Sequence, residues 1–154
     1  MKKINRIVIM LVVVTMMLPT VAFAKGHIPY KDVTRRKVDA KSYTAIVFVK
    51  EHHGWVGIAR KGRLKPNKAL TYQDLITVLD NLYPGKLPVS MDDLRNWRKK
   101  ADSVVVCNKL AELSAALGYK ISWSGVKSSK MKRKDLARYI MIFATYNPAL
   151  MPIR

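Results

Sequence analysis

The sequence predicts a mainly α-helical protein built from two helix–loop–helix units in tandem. Apolar side chains recur at helical spacing after residues 71 and 131, and both stretches begin with patterns typical of helix starts. The order of apolar element, glycine-containing loop and amphipathic helix occurs at 42–83 and again at about 103–146. The offset of roughly 60 residues between the two final helices indicates an internal repeat.

The first 24 residues have the layout of a cleavable secretory signal peptide. "MKKINR" is basic, "IVIMLVVVTMML" is apolar, and Ala22 and Ala24 are small residues at the −3 and −1 positions of a cut after Ala24. The apolar run has about 12 residues, whereas a membrane span needs roughly 20. We therefore expect a secreted, cell-envelope-associated chain with no transmembrane span after signal cleavage, and an uncleaved N-terminal anchor is the alternative.

The chain is strongly basic. It contains 29 Lys and Arg against 10 Asp and Glu, and loss of Lys2, Lys3 and Arg6 with the signal would leave 26 basic residues and a net charge of +16. Such a charge favours anionic partners such as cell-wall polymers, lipid headgroups, lipopolysaccharide or nucleic acid. Because 49% of the residues are apolar, a disordered polycation is excluded.

The segments before residue 71 include one ambiguous element. Residues 25–41 form a basic, irregular lead-in. Residues 42–53 fit equally a strand, paired as 43–49 with 55–60, or a short helix ended by Gly54. Residues 54–70 contain three glycines and one proline and are predicted to be a loop.

The helix after this loop has clear start and stop signals. Thr71 and Asp74 are spaced for a capping box, in which each side chain binds the backbone N–H of the other residue. Leu75, Leu79 and Leu82 then lie on one apolar stripe. The segment 83–88, "YPGKLP", ends the helix.

The second half of the chain repeats this logic. Ser90 and Asp93 form another cap pair, and apolar positions continue to Gly118, which predicts either one helix at 91–117 or two helices that meet near Asp102–Ser103. After a loop at 119–130, a last helix is predicted at about 131–146. The lone cysteine, Cys107, lies in an apolar run and is predicted to be a buried structural thiol.

A series of motifs between Tyr30 and Asp74 points to a known family. The series begins with Tyr-Lys-Asp-Val at Tyr30–Val33, followed by an Ala-Ile pair at Ala45–Ile46 and a glycine at Gly54. It continues with a Gly-x-Leu-x-Pro-Asn loop at Gly62–Asn67 and a Leu-Thr-Tyr-Gln-Asp helix start at Leu70–Asp74. The series resembles an S-layer homology module, whose loop is Gly-x-Phe-x-Pro-Asn and whose second helix starts with Ile-Thr-Arg-Ala-Glu. The resemblance implies that 42–53 is a helix.

A second, more divergent copy is carried by Met131–Asp135, followed by "LARYIM". The family's arginine is replaced by Tyr72 in the first copy and retained as Arg133 in the second. The resemblance implies a first repeat with its lead-in at 25–86 and a second, degenerate repeat at 87–154. Because such modules commonly act in threes, it also implies that another module, or self-association, would complete a pseudo-threefold bundle.

The resemblance and the residue chemistry together give candidate site residues. Arg133 matches an arginine that in the family contributes to a groove for anionic, often pyruvylated, cell-wall polysaccharide, although it would be a solvated side chain under the simpler interpretation. Asp32 is either a groove residue or a turn residue. The complete ligand-binding set is Asp32, Tyr43, Trp55, Trp123 and Arg133, and the structural caps and loop residues are Gly54, Gly62, Pro66, Thr71, Asp74 and Asp135.

The physical reasons for these choices differ by residue type. A guanidinium offers a planar fork to a carboxylate or phosphate. Trp55 and Trp123 lie in loops beside basic clusters, where an aromatic ring can stack on a sugar or a base, whereas Trp97 lies on an apolar stripe and is predicted to be core.

Catalysis has little support in the sequence. His27, His52 and His53 have no metal-ligand spacing, and no catalytic, metal or cofactor residues are predicted. We therefore expect a non-enzymatic envelope protein that binds anionic cell-wall polysaccharide or peptidoglycan. The alternative is a cationic secreted protein that binds lipid headgroups, lipopolysaccharide or nucleic acid by net charge, with nucleic acid the less favoured partner.

Overall fold

The computed structural model describes residues 30–123, 125–146 and 148–152, and within these ranges it is mainly helical, as predicted. A short 3-10 turn covers Pro148–Leu150, and in the described part of the chain extended segments pair through isolated β-bridges alone. The predicted signal peptide and its predicted cleavage site lie outside the described residues. The α-helices among the described residues are α1 Ala40–Glu51, α2 Tyr72–Leu82, α3 Met91–Arg95, α4 Ser103–Ala116 and α5 Arg133–Tyr146.

The ambiguous segment at 42–53 is a helix. Asp39 caps α1 by accepting a hydrogen bond from the N–H of Ser42 at 2.9 Å. Ala45, Ile46 and Val49 share the buried face of α1, which packs along α5. The strand alternative is wrong because burial against a neighbouring helix follows helical spacing rather than alternation.

The stretch 91–117 is two helices rather than one. The predicted capping box of Ser90 and Asp93 is present and starts α3, and the Asp102 side chain accepts from the N–H of Val105 at 2.9 Å to start α4. Between them, the carbonyls of Trp97 and Lys99 accept hydrogen bonds from the first two N–H groups of α2. In a continuous helix those carbonyls would accept hydrogen bonds within the helix. Because the helix is interrupted, they are free to accept from the first N–H groups of α2, which have no partner within α2.

Three helices begin around one junction, and the first N–H group of each donates a hydrogen bond to the loop that precedes another, so that the three bonds form a ring. The first N–H of α2, at Tyr72, donates to Lys99 O at 3.0 Å. The first N–H of α4, at Ser103, donates to Ser129 O, and that of α5, at Arg133, donates to Lys68 O, both at 3.1 Å. Each acceptor lies in the loop that leads to the next helix in the cycle α2, α4, α5. These three hydrogen bonds connect the starts of α2, α4 and α5 in a closed ring.

The centre of this ring is apolar. Leu70, Ala101 and Met131 directly precede the three cap residues, and all three are buried. Leu70 links the other two, since its N–H donates to Met131 O at 2.9 Å and its carbonyl accepts from Ala101 N–H at 3.0 Å. The sequence repeat predicts equivalent helix starts at 71 and 132, and the structure adds a third at Asp102, midway between them.

The core joins this ring to α1 and the C-terminal turn. Phe143 on α5 meets the Tyr83 ring edge-on at 6.0 Å, and the Tyr83 hydroxyl donates to Leu150 O at 2.5 Å. Cys107 is buried on α4, as predicted, and burial raises the pKa of its thiol. Over the residues described, no helix combines the length and the apolar character required to cross a bilayer.

Gly54 is required by close packing at the end of α1. An added Cβ would lie 2.6 Å from Val49 Cγ1 and 3.0 Å from Leu82 Cδ2. We expect Gly54→Ala to lower the free energy of unfolding by about 1–3 kcal/mol, measured by urea denaturation. Because Val49→Ala removes the clashing methyl group, the double variant should be more stable than the sum of the single effects by at least about 0.5 kcal/mol, and strict additivity would contradict the packing argument.

Candidate functional site

A cavity of about 280 Å³ lies between the loop that precedes α2 and the first turns of α2 and α5. We call it the cationic cavity. Arginine and lysine side chains dominate its wall, with one carboxylate among them. The lining residues are Gly57, Ile58, Arg60, Arg63, Lys65, Lys68, Gln73, Asp74 and Arg133.

Arg133 and Asp74 form a buried ion pair at the base of the cationic cavity. Arg133 Nε donates to Asp74 Oδ2 at 3.1 Å and Nη2 donates to Oδ1 at 3.0 Å, while Nη1 donates to Leu64 O at 2.6 Å. Arg133 is only 5% exposed. The interpretation of Arg133 as a solvated side chain is therefore wrong, because its charge is neutralised and its fork is held by two neighbouring segments.

Of the two hydrogen bonds predicted for the capping box at Thr71, one is present and one is replaced. Thr71 Oγ1 accepts from the N–H of Asp74 at 3.1 Å, as expected. The reciprocal bond is replaced, because both oxygens of Asp74 accept from the Arg133 guanidinium. At the start of α5, Asp135 does reach back as predicted, with Oδ2 accepting from the N–H of Lys132 at 3.0 Å.

The rim of the cationic cavity is a tight turn at Lys61–Gly62. Arg60 and Arg63 exchange backbone hydrogen bonds of 3.0 and 2.9 Å across it, and Lys61 and Gly62 have φ values of +51° and +70°. Two consecutive positive φ values define the type I′ turn that fits a twisted ribbon. A lysine in the left-handed region is uncommon and costs energy, so the surrounding contacts must hold this turn in place.

Asp32 provides some of the contacts that stabilise the Lys61–Gly62 turn. Its two carboxylate oxygens accept from Leu64 N–H at 2.9 Å and Lys65 N–H at 2.7 Å, and the preceding Lys31 N–H donates to Gly62 O. Lys65 itself has φ of +57°. Asp32 is therefore a turn residue that fixes the loop, which is the second of its two predicted roles. Pro66 has a related role, because its carbonyl accepts from Lys134 N–H.

The electrostatic character of the cationic cavity follows from this arrangement. Of its five cations, Arg133 is neutralised by Asp74. In the described part of the chain, Arg60, Arg63, Lys65 and Lys68 form no ion pair. Four exposed like charges around one concavity produce a positive potential that concentrates anions. The fixed backbone limits the reorganisation that binding would require.

The predicted aromatic ligand contacts are not gathered at this cavity. Trp55 is 2% exposed and its Nε1 donates to Ile46 O at 3.2 Å, so the prediction that it stacks on a ligand is wrong. Its loop folds back onto α1, which buries the ring. Tyr43 is half-buried, with the Arg35 guanidinium 5.6 Å from its ring centroid. Trp97 is half-buried against the core, as its position on an apolar stripe predicted.

Trp123 lies in a separate groove. Its ring centroid is 5.9 Å from that of Tyr139 at an angle of 32°, and both rings line a groove of about 530 Å³ with Lys130 and Arg138. Trp123 Nε1 is buried without a hydrogen-bond partner among the residues described. The structure therefore places Trp123 and Arg133 at different sites.

Comparison with protein-family models, with curated proteins and with solved structures finds no match. The S-layer-homology resemblance thus remains an interpretation of the sequence motifs. Arg60 and Lys68 line the cationic cavity although no motif in the sequence singled them out. The sequence carries no clear signal for this pair, because type I′ turns favour Asn-Gly or Asp-Gly and the turn between Arg60 and Arg63 is Lys61–Gly62.

Proposed function

We propose that this chain is an exported, non-enzymatic protein of the cell envelope that binds anionic polysaccharide or peptidoglycan non-covalently. The observation that carries the proposal is the cationic cavity, in which four unneutralised cations surround a buried Arg133–Asp74 pair. Asp32 and the Lys61–Gly62 turn fix the backbone of the loop that carries Arg60, Arg63 and Lys65. A fixed, concave cluster is suited to recognising an anionic group rather than to general charge screening.

Two further features support this proposal. The basic run at 130–134 continues from the cavity, since the N–H of Lys134 binds Pro66 O at 3.1 Å. A polymer with repeating charges could therefore extend from the cavity along this run. The ring of three helix starts is also compatible with S-layer-homology-like repeats in which this chain supplies the third unit that was expected from another module.

The alternative function is charge-driven binding to lipid headgroups, lipopolysaccharide or nucleic acid. It is favoured by the overall net charge of +19, most of which lies outside the cationic cavity. Diffuse attraction of this kind has a steep salt dependence and little dependence on polymer chemistry. The two functions therefore differ in how binding responds to salt and to loss of particular cations.

Co-sedimentation with purified cell walls tests the proposal. Walls before and after removal of their anionic polymer would be compared over a salt series, with the double variant Arg60→Gln/Arg63→Gln. We expect this variant to weaken binding at least about tenfold, because each lost charge-assisted hydrogen bond is worth about 1.5–3 kcal/mol.

The control is Arg98→Gln/Lys120→Gln, which removes the same charge from exposed positions outside the cavity. It should change binding less than about twofold at moderate salt. Equal losses in the two double variants, or binding that is insensitive to removal of the polymer, would favour the charge-driven alternative.

A further inference from the structure

Arg60 and Arg63 form a matched pair of guanidinium groups. Their backbones face each other across the Lys61–Gly62 turn and exchange two hydrogen bonds. Directly opposed residues of an antiparallel pair project their side chains from the same face, with Cβ atoms about 5 Å apart. Both side chains line the cationic cavity, so two like charges are held side by side at its rim.

The described residues supply no carboxylate to this pair. The one carboxylate in the wall, on Asp74, has both oxygens occupied by Arg133. Two neighbouring cations that repel each other are stabilised by an anion that can contact both. The geometry therefore suits an anion that can accept hydrogen bonds from two guanidinium forks at once.

We infer that the group bound in the cationic cavity is a phosphoryl group, held jointly by Arg60 and Arg63; the inference rests on the function proposed above. A carboxylate carries one charge on two oxygens whose acceptor sites all lie in one plane, and Asp74 uses both oxygens on the single fork of Arg133. A phosphoryl group has non-bridging oxygens in tetrahedral directions and, as a monoester, a charge of about −1.5 to −2. It can accept a fork from each arginine.

Lys65 and Lys68 complete the site as point charges. An ammonium makes no planar fork, so its attraction depends on total charge rather than on the shape of the anion. The two lysines would therefore bind carboxylates and phosphates alike, whereas the arginine pair discriminates. This separates general anion attraction from phosphoryl recognition within one cavity.

Isothermal titration of the purified protein with inorganic phosphate and with acetate, at constant ionic strength, tests the inference. We expect phosphate to bind at least about tenfold more tightly than acetate. Arg60→Lys and Arg63→Lys keep the charge and remove the fork, so each should weaken phosphate binding at least about fivefold and change acetate binding less than twofold. Arg98→Lys is the matched control and should change neither.

The source of the phosphoryl group is decided by three polymers or surfaces. Poly(glycerol phosphate), phosphatidylglycerol vesicles and polygalacturonate would be compared at equal salt, with inorganic phosphate as competitor. Preference for poly(glycerol phosphate) assigns a phosphodiester polymer and supports both the inference and the proposed function. Preference for the vesicles assigns a lipid headgroup, which supports phosphoryl recognition and overturns the polysaccharide ligand of the proposed function.

Two results would overturn it: equal phosphate and acetate affinities, or tightest binding to polygalacturonate. Wall binding that persists in those cases would leave the proposed function intact with a carboxylate polymer as its ligand. Absence of binding to every anionic polymer and to walls would remove both the inference and the proposed function. The substituted side chains are exposed, and circular dichroism would verify that each variant is folded.

Discussion

Replacing Asp74 with alanine should lower the free energy of unfolding by about 3–5 kcal/mol, because the substitution leaves the guanidinium of Arg133 buried without its counter-charge. Arg133 is 5% exposed and uses both Nε and Nη2 on Asp74, so it cannot recover hydration without opening the junction between α2 and α5. Urea denaturation of Asp74→Ala and the parent protein would measure the loss.

A double-mutant cycle separates this ion pair from general packing. Arg133→Met keeps much of the side-chain volume and removes the charge, so the double variant Asp74→Ala/Arg133→Met should be more stable than Asp74→Ala alone. The remaining cost includes the lost hydrogen bond from Arg133 to Leu64 O. A loss below about 1 kcal/mol for Asp74→Ala, or no recovery in the double variant, would contradict the role assigned to this pair.

Replacing Lys109 with methionine should lower the free energy of unfolding by about 3 kcal/mol. The Lys109 ammonium donates to Asp93 Oδ2 at 2.6 Å and to Glu112 Oε2 at 2.7 Å, and it ties the short helix α3 to α4. Asp93 is buried and would lose its counter-charge. Glu112 is 44% exposed at its side chain, so Glu112→Gln is the matched control and should cost less than about 1 kcal/mol.

The same cluster should make stability depend on pH at both extremes. Burial acts to raise the pKa of Asp93, but hydrogen bonds from Lys109 and Ser90 outweigh it and lower the pKa. Burial acts to lower the pKa of Lys109, but its bonds to Asp93 and Glu112 outweigh it and raise the pKa.

The direction of each shift fixes where the contribution is lost. A lowered acid pKa stabilises the protein above the unfolded value of about 3.9, and this contribution disappears as pH falls through the folded pKa. A raised lysine pKa stabilises below about 10.4 and is lost as pH rises through the folded pKa. Denaturation at several pH values should show a shallower acid decline in Lys109→Met, and an unchanged decline would contradict this assignment.

Local patterns in the sequence predicted the helix starts that depend on neighbouring residues. Thr71 and Ser90 bind an N–H three residues ahead, so their spacing alone identifies them. The interruption between α3 and α4 was left as one of two alternatives. It depends on the carbonyls of Trp97 and Lys99 accepting hydrogen bonds from the first N–H groups of α2, a contact between segments far apart in sequence.

The candidate site shows the same limit. The basic loop was visible in the sequence, and Arg133 was selected from a motif, but its ion pair with Asp74 joins residues 59 positions apart. Trp55 was assigned to a loop correctly and to a ligand surface wrongly, since its burial is set by contact with Ile46 on α1. Spacing predicts local hydrogen bonds, whereas exposure and charge pairing depend on which segments the fold brings together.

The closed ring of helix starts has a consequence for how the chain acquires its structure. The loop at 66–68 is synthesised early, but its carbonyls can accept their hydrogen bonds only after Arg133 and Lys134 on the last helix have been synthesised. A nascent chain that ends before α5 leaves the ring open and Asp74 without its cation. Folding should therefore be a single late event, with slow closure of long-range contacts once the final helix is available.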